Sequence, residues 1–300
     1  MRPGSIALLA LVACGSGQVR PEPFDGQAAL EYARRQVEFG PRIPGSEGHR
    51  RAGEWLEGLL RERADTLIVQ AWEHTTATGA VLPLRNFVAR FNPRAERRLL
   101  FLAHWDTRPV ADAPGSRDPR APVPGANDGA SGVAVLLVVA EELRRRPPPP
   151  TVGVDLLLVD GEDYGTFPDT DVLLGSTYYA RNPPPGPRPA YAVLLDMVGA
   201  ANARFYQEGY SLTAAPEIVA DIWSVAQALG HGDLFIARPG GYVTDDHVPL
   251  QEVGIKAVNI IDDIGRYTPW HTPDDTLDKL SARTLEAVGQ VVMALIRRER

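Results

Sequence analysis

Residues 152–165, VGVDLLLVDGEDYG, constrain this chain more than any other stretch. Residues 154–159 form an almost unbroken apolar run, the pattern of a strand covered on both faces. The run stops at Asp160, Gly161, Glu162 and Asp163. A doubly covered strand belongs in an open α/β sheet, and such sheets bind ligands in the crevice beyond the carboxyl ends of their strands. Adjacent carboxylates placed there lose hydration and repel one another, so something must offset them. A cation does this most simply. A turn that caps the following helix is the plainer reading of the same residues. The other strand ends decide between the two.

The flanking pattern alternates between helix and strand. Leu30, Ala33 and Val37 recur at helical spacing over 27–39. Ala52, Trp55, Leu56, Leu59 and Leu60 give a second helix one broad apolar stripe, with Ser46 as its cap and Trp55 in the core. Strand-like segments follow at 66–73, 84–91 and 99–103. Residues 108–125 are a long loop rich in Pro and Asp, of a length that compact domains reserve for function or leave disordered. A glycine-rich turn opens a helix over 128–146, which Pro147 to Pro150 stop. Beyond the central strand the sequence predicts a short helix at 175–180, a buried strand at 191–195 and a sheet-edge extension at 204–207. Helices at 214–229 and 284–297 flank a last strand at 256–261. Helices interleaved with apolar strands imply an α/β, three-layer helix–sheet–helix sandwich. The first strands follow one another without helices, so its mostly parallel sheet is mixed, with an antiparallel edge. No composition shift marks a second domain, and 27–300 reads as one.

The net charge of −7, from 31 basic and 38 acidic residues, argues against a nucleic-acid partner, which would show a basic patch. The one cysteine, Cys14, excludes a disulfide framework and a thiolate zinc cage. Arg2, the apolar stretch 6–13 and Cys14-Gly15-Ser16-Gly17 have the layout of a short secretory signal peptide. Leu11-Val12-Ala13-Cys14 resembles a bacterial lipobox. That resemblance implies a signal peptide over 1–13, a lipid on Cys14 as the only membrane contact, and an exported lipoprotein facing the periplasm or cell surface. Residues 14–26 then read as a tether.

Other strand ends carry matching groups. The strand at 99–103 runs into His104-Trp105-Asp106, where alternate residues share a face, so Asp106 could orient a metal-bound imidazole at His104. Asp128 stands at the start of a helix, where an N-cap is the plainer role. Asp196 ends a strand, Asp245-Asp246-His247 follow a glycine-rich loop, and Trp270-His271-Thr272 follow another. Each residue has an ordinary structural role by itself; five such sites at sheet edges point to a metal. Oxygen and imidazole donors without thiolates suit zinc. The donors are dispersed in sequence, so the fold must assemble the site.

Taken in order, His104-Trp105-Asp106, residues 125–132, Gly161-Glu162-Asp163, Leu194-Leu195-Asp196, Asp245-Asp246-His247 and Trp270-His271-Thr272 resemble the zinc aminopeptidase and glutaminyl cyclase superfamily. The likeness runs from about residue 27 to the C-terminus. It implies one of two enzymes: a two-zinc aminopeptidase, or a one-zinc cyclase that converts N-terminal glutamine to pyroglutamate with loss of ammonia. His104, Asp128, Asp163, Asp196 and His271 fill all five metal positions of the two-zinc enzymes, and cyclases keep similar residues. Three details resemble the cyclases of mammalian type, and their bacterial members in particular. Asp245 stands where aminopeptidases commonly carry Ser, Trp270 directly precedes His271, and 104–109 and 162–165 look like the bacterial enzymes. Asp163 replaces the Glu of many relatives, again like the bacterial cyclases. The second tryptophan that cyclases usually carry near 167–173 is absent.

The resemblance implies a single Zn2+ held by Asp128, Asp163 and His271, with His104 and Asp106 as second-metal or outer candidates. Zinc would polarise the glutamine γ-carbonyl, and Glu162 would act as base and pass the proton to ammonia. Asp196 and Asp245 would share a hydrogen-bond network with Glu162, and Trp270 would pack on the glutamine side chain. The partners are peptide or protein N-termini. In the aminopeptidase alternative Asp128 bridges two Zn2+, with His104 and Asp196 on one and Asp163 and His271 on the other. A surface-anchored binding module without catalysis is the third reading; retention of Glu162 and every ligand argues against it.

Overall fold

The structure, a computed structural model, describes residues 22–166 and 170–299. The expected signal peptide, Cys14 and most of the expected tether lie outside these residues. The last part of the tether does not behave as one. Phe24 is buried, and a Cβ added at Gly289 would lie 2.2 Å from its ring. Asp25 caps the first helix by accepting the Ala28 amide at 2.9 Å. An anchoring ring and a capping carboxylate therefore begin the fold before residue 26.

The first half of the chain forms α1 (Gly26–Glu38), α2 (Glu47–Arg63), β1 (Thr66–Thr75), β2 (Val81–Phe91), β3 (Arg97–His104), α3 (Ala130–Arg145) and β4 (Val152–Val159). The second half forms α4 (Leu174–Arg181), β5 (Pro189–Asp196), β6 (Phe205–Gln207), α5 (Gly209–Ala214), α6 (Pro216–Ala228), β7 (Phe235–Pro239), α7 (His247–Glu252), β8 (Ala257–Ile261) and α8 (Ala282–Arg298). Six strands make one sheet in the order β1-β2-β4-β3-β5-β8. The β1–β2 and β2–β4 pairs are antiparallel, whereas β4, β3, β5 and β8 run parallel. This is the expected mixed sheet.

Period-two alternation sorts the strand side chains into two cores. Leu99, Phe101 and Ala103 of β3 face the larger core, which α1, α2, α3, α6 and α8 complete. Leu100 and Leu102 face a smaller one closed by Tyr179 of α4 and Leu250 of α7. Along β4, Val154, Leu156 and Leu158 take the first side and Leu157 and Val159 the second. Both faces are covered, as the unbroken apolar run required.

Asp155 interrupts that run, and its partner explains how. Arg98, fully buried, donates Nε to Asp155 Oδ2 at 3.0 Å and Nη2 to Oδ1 at 2.6 Å. Gly153 leaves the guanidinium room, since a Cβ there would lie 2.3 Å from Nη1. Removing one partner of a buried pair strands the other's charge, at a cost of about 3–5 kcal/mol. Asp155→Ala is therefore expected to lower the unfolding free energy by about that amount in a denaturant titration. A loss below about 1 kcal/mol, the scale of an ordinary hydrogen bond, would contradict the pairing's importance.

The structure corrects three expectations. Residues 204–207 do not extend the main sheet: β6 pairs in parallel with β7 as a separate two-stranded sheet, with Phe205 against Phe235 at 5.0 Å. The helix expected over 214–229 is α6, which starts two residues later than expected because Ala214 closes a separate short helix, α5. The break falls at Ala215, and Pro216 starts α6 at a position whose N–H would lack a helical partner anyway. Trp55 is half-buried at the margin of the core, against Phe39 and Tyr32 at 5.6 and 6.1 Å.

Candidate metal centre and active site

Parallel strands open their carboxyl ends at one edge, and here β3, β4 and β5 each end in titratable groups: His104, then residues 160–163, then Asp196. Asp160 belongs to neither the metal groups nor a helix cap. Its carboxylate accepts the Arg85 amide at 2.8 Å and pairs with His49 Nε2 at 2.9 Å. It does not cap α4, whose N-cap is Leu173 with no side-chain bond.

Asp128 joins the site from the turn before α3. Its Oδ1 lies 3.0 Å from His104 Nε2 and its Oδ2 3.6 Å from His271 Nε2. Asp196 Oδ1 is 3.2 Å from the same nitrogen of His104, and Asp163 Oδ1 is 3.3 Å from His271 Nε2. Two overlapping triads result, His104–Asp128–Asp196 and Asp128–Asp163–His271, each with donor atoms within 4.8 Å of one another. All five residues are at most 8% exposed. Two carboxylates and an imidazole at this spacing fit zinc.

Asp128 is not an N-cap. That position is Gly129, which has no side chain to cap α3. Asp128 is aimed through its backbone instead: Asp275 Oδ1 accepts the Asn127 amide at 2.9 Å and Oδ2 accepts the Asp128 amide at 3.1 Å. The Tyr267 hydroxyl donates to Asp275 in turn at 2.7 Å. Close approach does the rest, since a Cβ at Gly129 would lie 2.5 Å from the His104 carbonyl oxygen, and one at Gly132 2.0 Å from that of Leu195.

Asp106 acts from outside the two triads. Its Oδ1 is 3.6 Å from His104 Nδ1, too far for a hydrogen bond, and it belongs to neither triad. It accepts the backbone amides of Glu162 and Asp163, both at 3.1 Å, and so fixes the turn that carries those two carboxylates.

Burial sets the charges. It holds Glu162 well above the ordinary carboxylate range; His104 opposes this, while Asp163, Asp245 and Asp246 reinforce it. Burial, followed by the neighbouring Asp196, pushes Asp245 up to about 7. Asp246 is raised by burial and by Asp245, and both its oxygens lack a partner among the described residues. Burial works against a proton on His104, yet Asp106, Asp128 and Asp196 together hold it well above the usual value. Burial would raise Asp128, but its two histidine neighbours keep it low.

The hydrogen-bond network expected to join Glu162, Asp196 and Asp245 is not formed among the described residues. Asp245 Oδ2 accepts from Asn259 Nδ2 at 2.7 Å, its Oδ1 accepts the Asp246 amide at 2.6 Å, and Asp196 faces His104. Glu162 feels Asp245, and Asp245 feels Asp196, through charge.

A cavity of about 270 Å³ adjoins the centre, and its walls include Arg108, Asp112, Thr166, Thr244, Trp270 and His271. Trp270 stacks on His271 with ring centroids 3.8 Å apart and planes 23° apart. Residues 167–169, where part of the sought second tryptophan segment falls, lie outside the described residues. Sequence reasoning missed Arg108, Asp112, Asp246 and Asp275 as site residues. Asp275 lies four positions after His271, but nothing in the run HTPDD separates a backbone clamp from a turn residue.

The family model described as peptidase family M28 matches residues 86–296. Among solved structures, Bacteroides thetaiotaomicron glutaminyl cyclase bound to N-acetylhistamine is 37% identical with a TM-score of 0.89, over 93% of this chain and 100% of its own. A leucine aminopeptidase precursor from the same organism has the same identity and TM-score, over 93% and 99%. A Mus musculus glutaminyl-peptide cyclotransferase-like protein is 28% identical over 285 residues, 85% of this chain and 71% of its own length.

Proposed function

We propose that this chain, which belongs to peptidase family M28, is a zinc-dependent glutaminyl cyclase that closes the N-terminal glutamine of peptides and proteins to pyroglutamate and releases ammonia. The observation that carries the reading is Asp245. It is a buried carboxylate raised to about 7 and felt by Glu162, at the position where the aminopeptidase resemblance would place a serine. Both reactions lift a proton from the nucleophile, water or the α-amine, and return one to the leaving nitrogen, and carboxylates with raised proton affinity suit that transfer. The cyclase and cyclotransferase-like relatives support the same reading. The leucine aminopeptidase precursor, equally similar, makes N-terminal hydrolysis the second reading.

Asp128, Asp163 and His271 would hold one Zn2+, a Lewis acid that polarises the γ-carbonyl. Glu162, on a turn fixed by Asp106, takes a proton from the α-amine as its nitrogen attacks the carbonyl carbon of the side-chain amide. The new C–N bond closes the lactam and the C–N bond to the side-chain amide breaks. Glu162 then delivers its proton to the departing nitrogen, which leaves as ammonia. Asp245 favours the protonated form of Glu162 by charge, and Asp196 acts on Asp245 in the same way. Trp270, in the cavity wall, packs on the methylene groups of the glutamine.

His104 Nε2 lies between Asp128 Oδ1 and Asp196 Oδ1, a triad that could hold a second ion, so the number of ions separates the two readings. Metal analysis is expected to return one zinc per chain, with ammonia release lost on chelation and restored by zinc. Two zincs per chain, both needed for activity, would favour the aminopeptidase.

A further inference from the structure

The loop after His104 is a closed ring. Buried Arg42 ties its two ends, donating Nε to the Trp105 carbonyl at 3.2 Å, Nη1 to Pro124 at 2.9 Å and Nη2 to Gly125 at 2.6 Å. Inside it the Val123 amide bonds the Arg108 carbonyl at 3.2 Å, and the Ala111 amide that of Ala121 at 2.8 Å. A segment held this way is a platform from which side chains can be aimed.

Arg108, 3% exposed, is aimed at the centre. Its Nη1 donates to Asp163 Oδ1 at 2.7 Å and to the Asp163 carbonyl at 3.3 Å. Its Nε and Nη2 grip both oxygens of Asp112, each at 2.6 Å. Asp112 Oδ1 is also 3.4 Å from Nδ1 of His271, the ring nitrogen opposite the one that faces Asp128 and Asp163. A shift of roughly 0.5 Å would bring that contact to a good hydrogen-bond length. The Ala113 amide meanwhile bonds the His271 carbonyl at 3.3 Å, so the same loop holds the backbone of that residue.

From this circuit, Asp163–Arg108–Asp112–His271, we propose that Arg108 and Asp112 are positioning residues that set the spacing of two of the three zinc ligands. The inference rests on the zinc centre of the proposed function and not on which reaction that centre performs. The guanidinium fork is what the job requires, because its planar donors reach two carboxylates in fixed directions, which the point charge of a lysine does not do. Asp112 supplies the carboxylate that orients an imidazole and increases its basicity toward a metal, an arrangement whose removal costs about 10- to 100-fold in metal affinity or activity. Asp163 gains in the same way from a bound guanidinium, which fixes Oδ1, the oxygen that lies 3.3 Å from His271 Nε2.

The test is competition for zinc between the full-length protein and a chromogenic chelator, run on the parent, Asp112→Asn, Arg108→Gln and Arg108→Lys. Melting of the metal-free proteins and kcat and KM at saturating zinc accompany it. Asp112→Asn, at a side chain 42% exposed, is the variant least able to disturb folding. The expected result is zinc affinity weakened by about 10- to 100-fold in Asp112→Asn and Arg108→Gln, and incompletely recovered in Arg108→Lys, with metal-free melting and KM unchanged. Unchanged zinc affinity overturns the proposal. So does a rise in KM with zinc affinity intact, which would make the pair substrate contacts, or a fall in metal-free melting alone, which would make them structural. A parent that binds no zinc overturns both this clamp and the zinc centre. Because the readout is zinc affinity, a parent that binds zinc and hydrolyses peptides overturns only the cyclase reading.

Discussion

Glu162→Gln is expected to lower kcat by roughly a hundred- to ten-thousand-fold, the contribution of a positioned general acid–base, while the protein keeps its zinc. The substitution is nearly isosteric and removes only the capacity to take a proton. Asp106 holds residue 162 through its backbone amide, so the turn keeps its shape and Asp163 its aim. Glu162 belongs to neither ligand triad. Its raised proton affinity also fixes a pH dependence. The base must be unprotonated to act, so activity is expected to fall as pH drops through a value above the ordinary carboxylate range. Zinc lost together with activity would make Glu162 a ligand and overturn its role as base.

Asp128→Ala has the second large effect, and on binding rather than turnover. Asp128 is the one residue common to both triads, with one oxygen toward each histidine. Losing a direct ligand is expected to weaken zinc by more than the roughly 100-fold upper figure for an outer residue, and to abolish activity with it. Equilibrium dialysis against zinc is the check. A variant that retains zinc at parental affinity would remove Asp128 from the centre. Asp275→Asn offers a graded comparison, since it disturbs the clamp on the Asn127 and Asp128 amides and removes no member of either triad.

The elements that sequence patterning finds are the long and strongly periodic ones. The run at 154–159 announces β4, the stripe from Ala52 to Leu60 announces α2, and the unseparated strands at 66–91 announce the antiparallel edge. The missed elements are short. Strand β7 carries Arg238 and Pro239 and is largely exposed, so it has no apolar alternation to read. Helix α7 spans six residues, too few for a helical period. Assignment of β6 to the main sheet failed because a three-residue strand carries no information about its partner.

The candidate site divides along the same line. His104, Asp128, Asp163, Asp196 and His271 were legible because strand ends of a parallel sheet share one edge and their residue types suit a metal. What the sequence could not show is which groups aim them. Asp106 faces the turn at 162–163 instead of the imidazole two residues away, and Asp275 acts on backbone that is 147 and 148 positions distant. Such contacts arise only when the loops close. The same holds for Asp245, whose partner Asn259 comes from β8.

The most direct test is a mixture of two peptides that differ only in their first residue, glutamine or leucine, incubated with the zinc-loaded protein and followed by mass spectrometry. The glutamine peptide is expected to lose the mass of one ammonia while the leucine peptide stays intact. Removal of the first residue from either peptide, with no ammonia-loss product, would contradict the cyclase and make this centre an aminopeptidase.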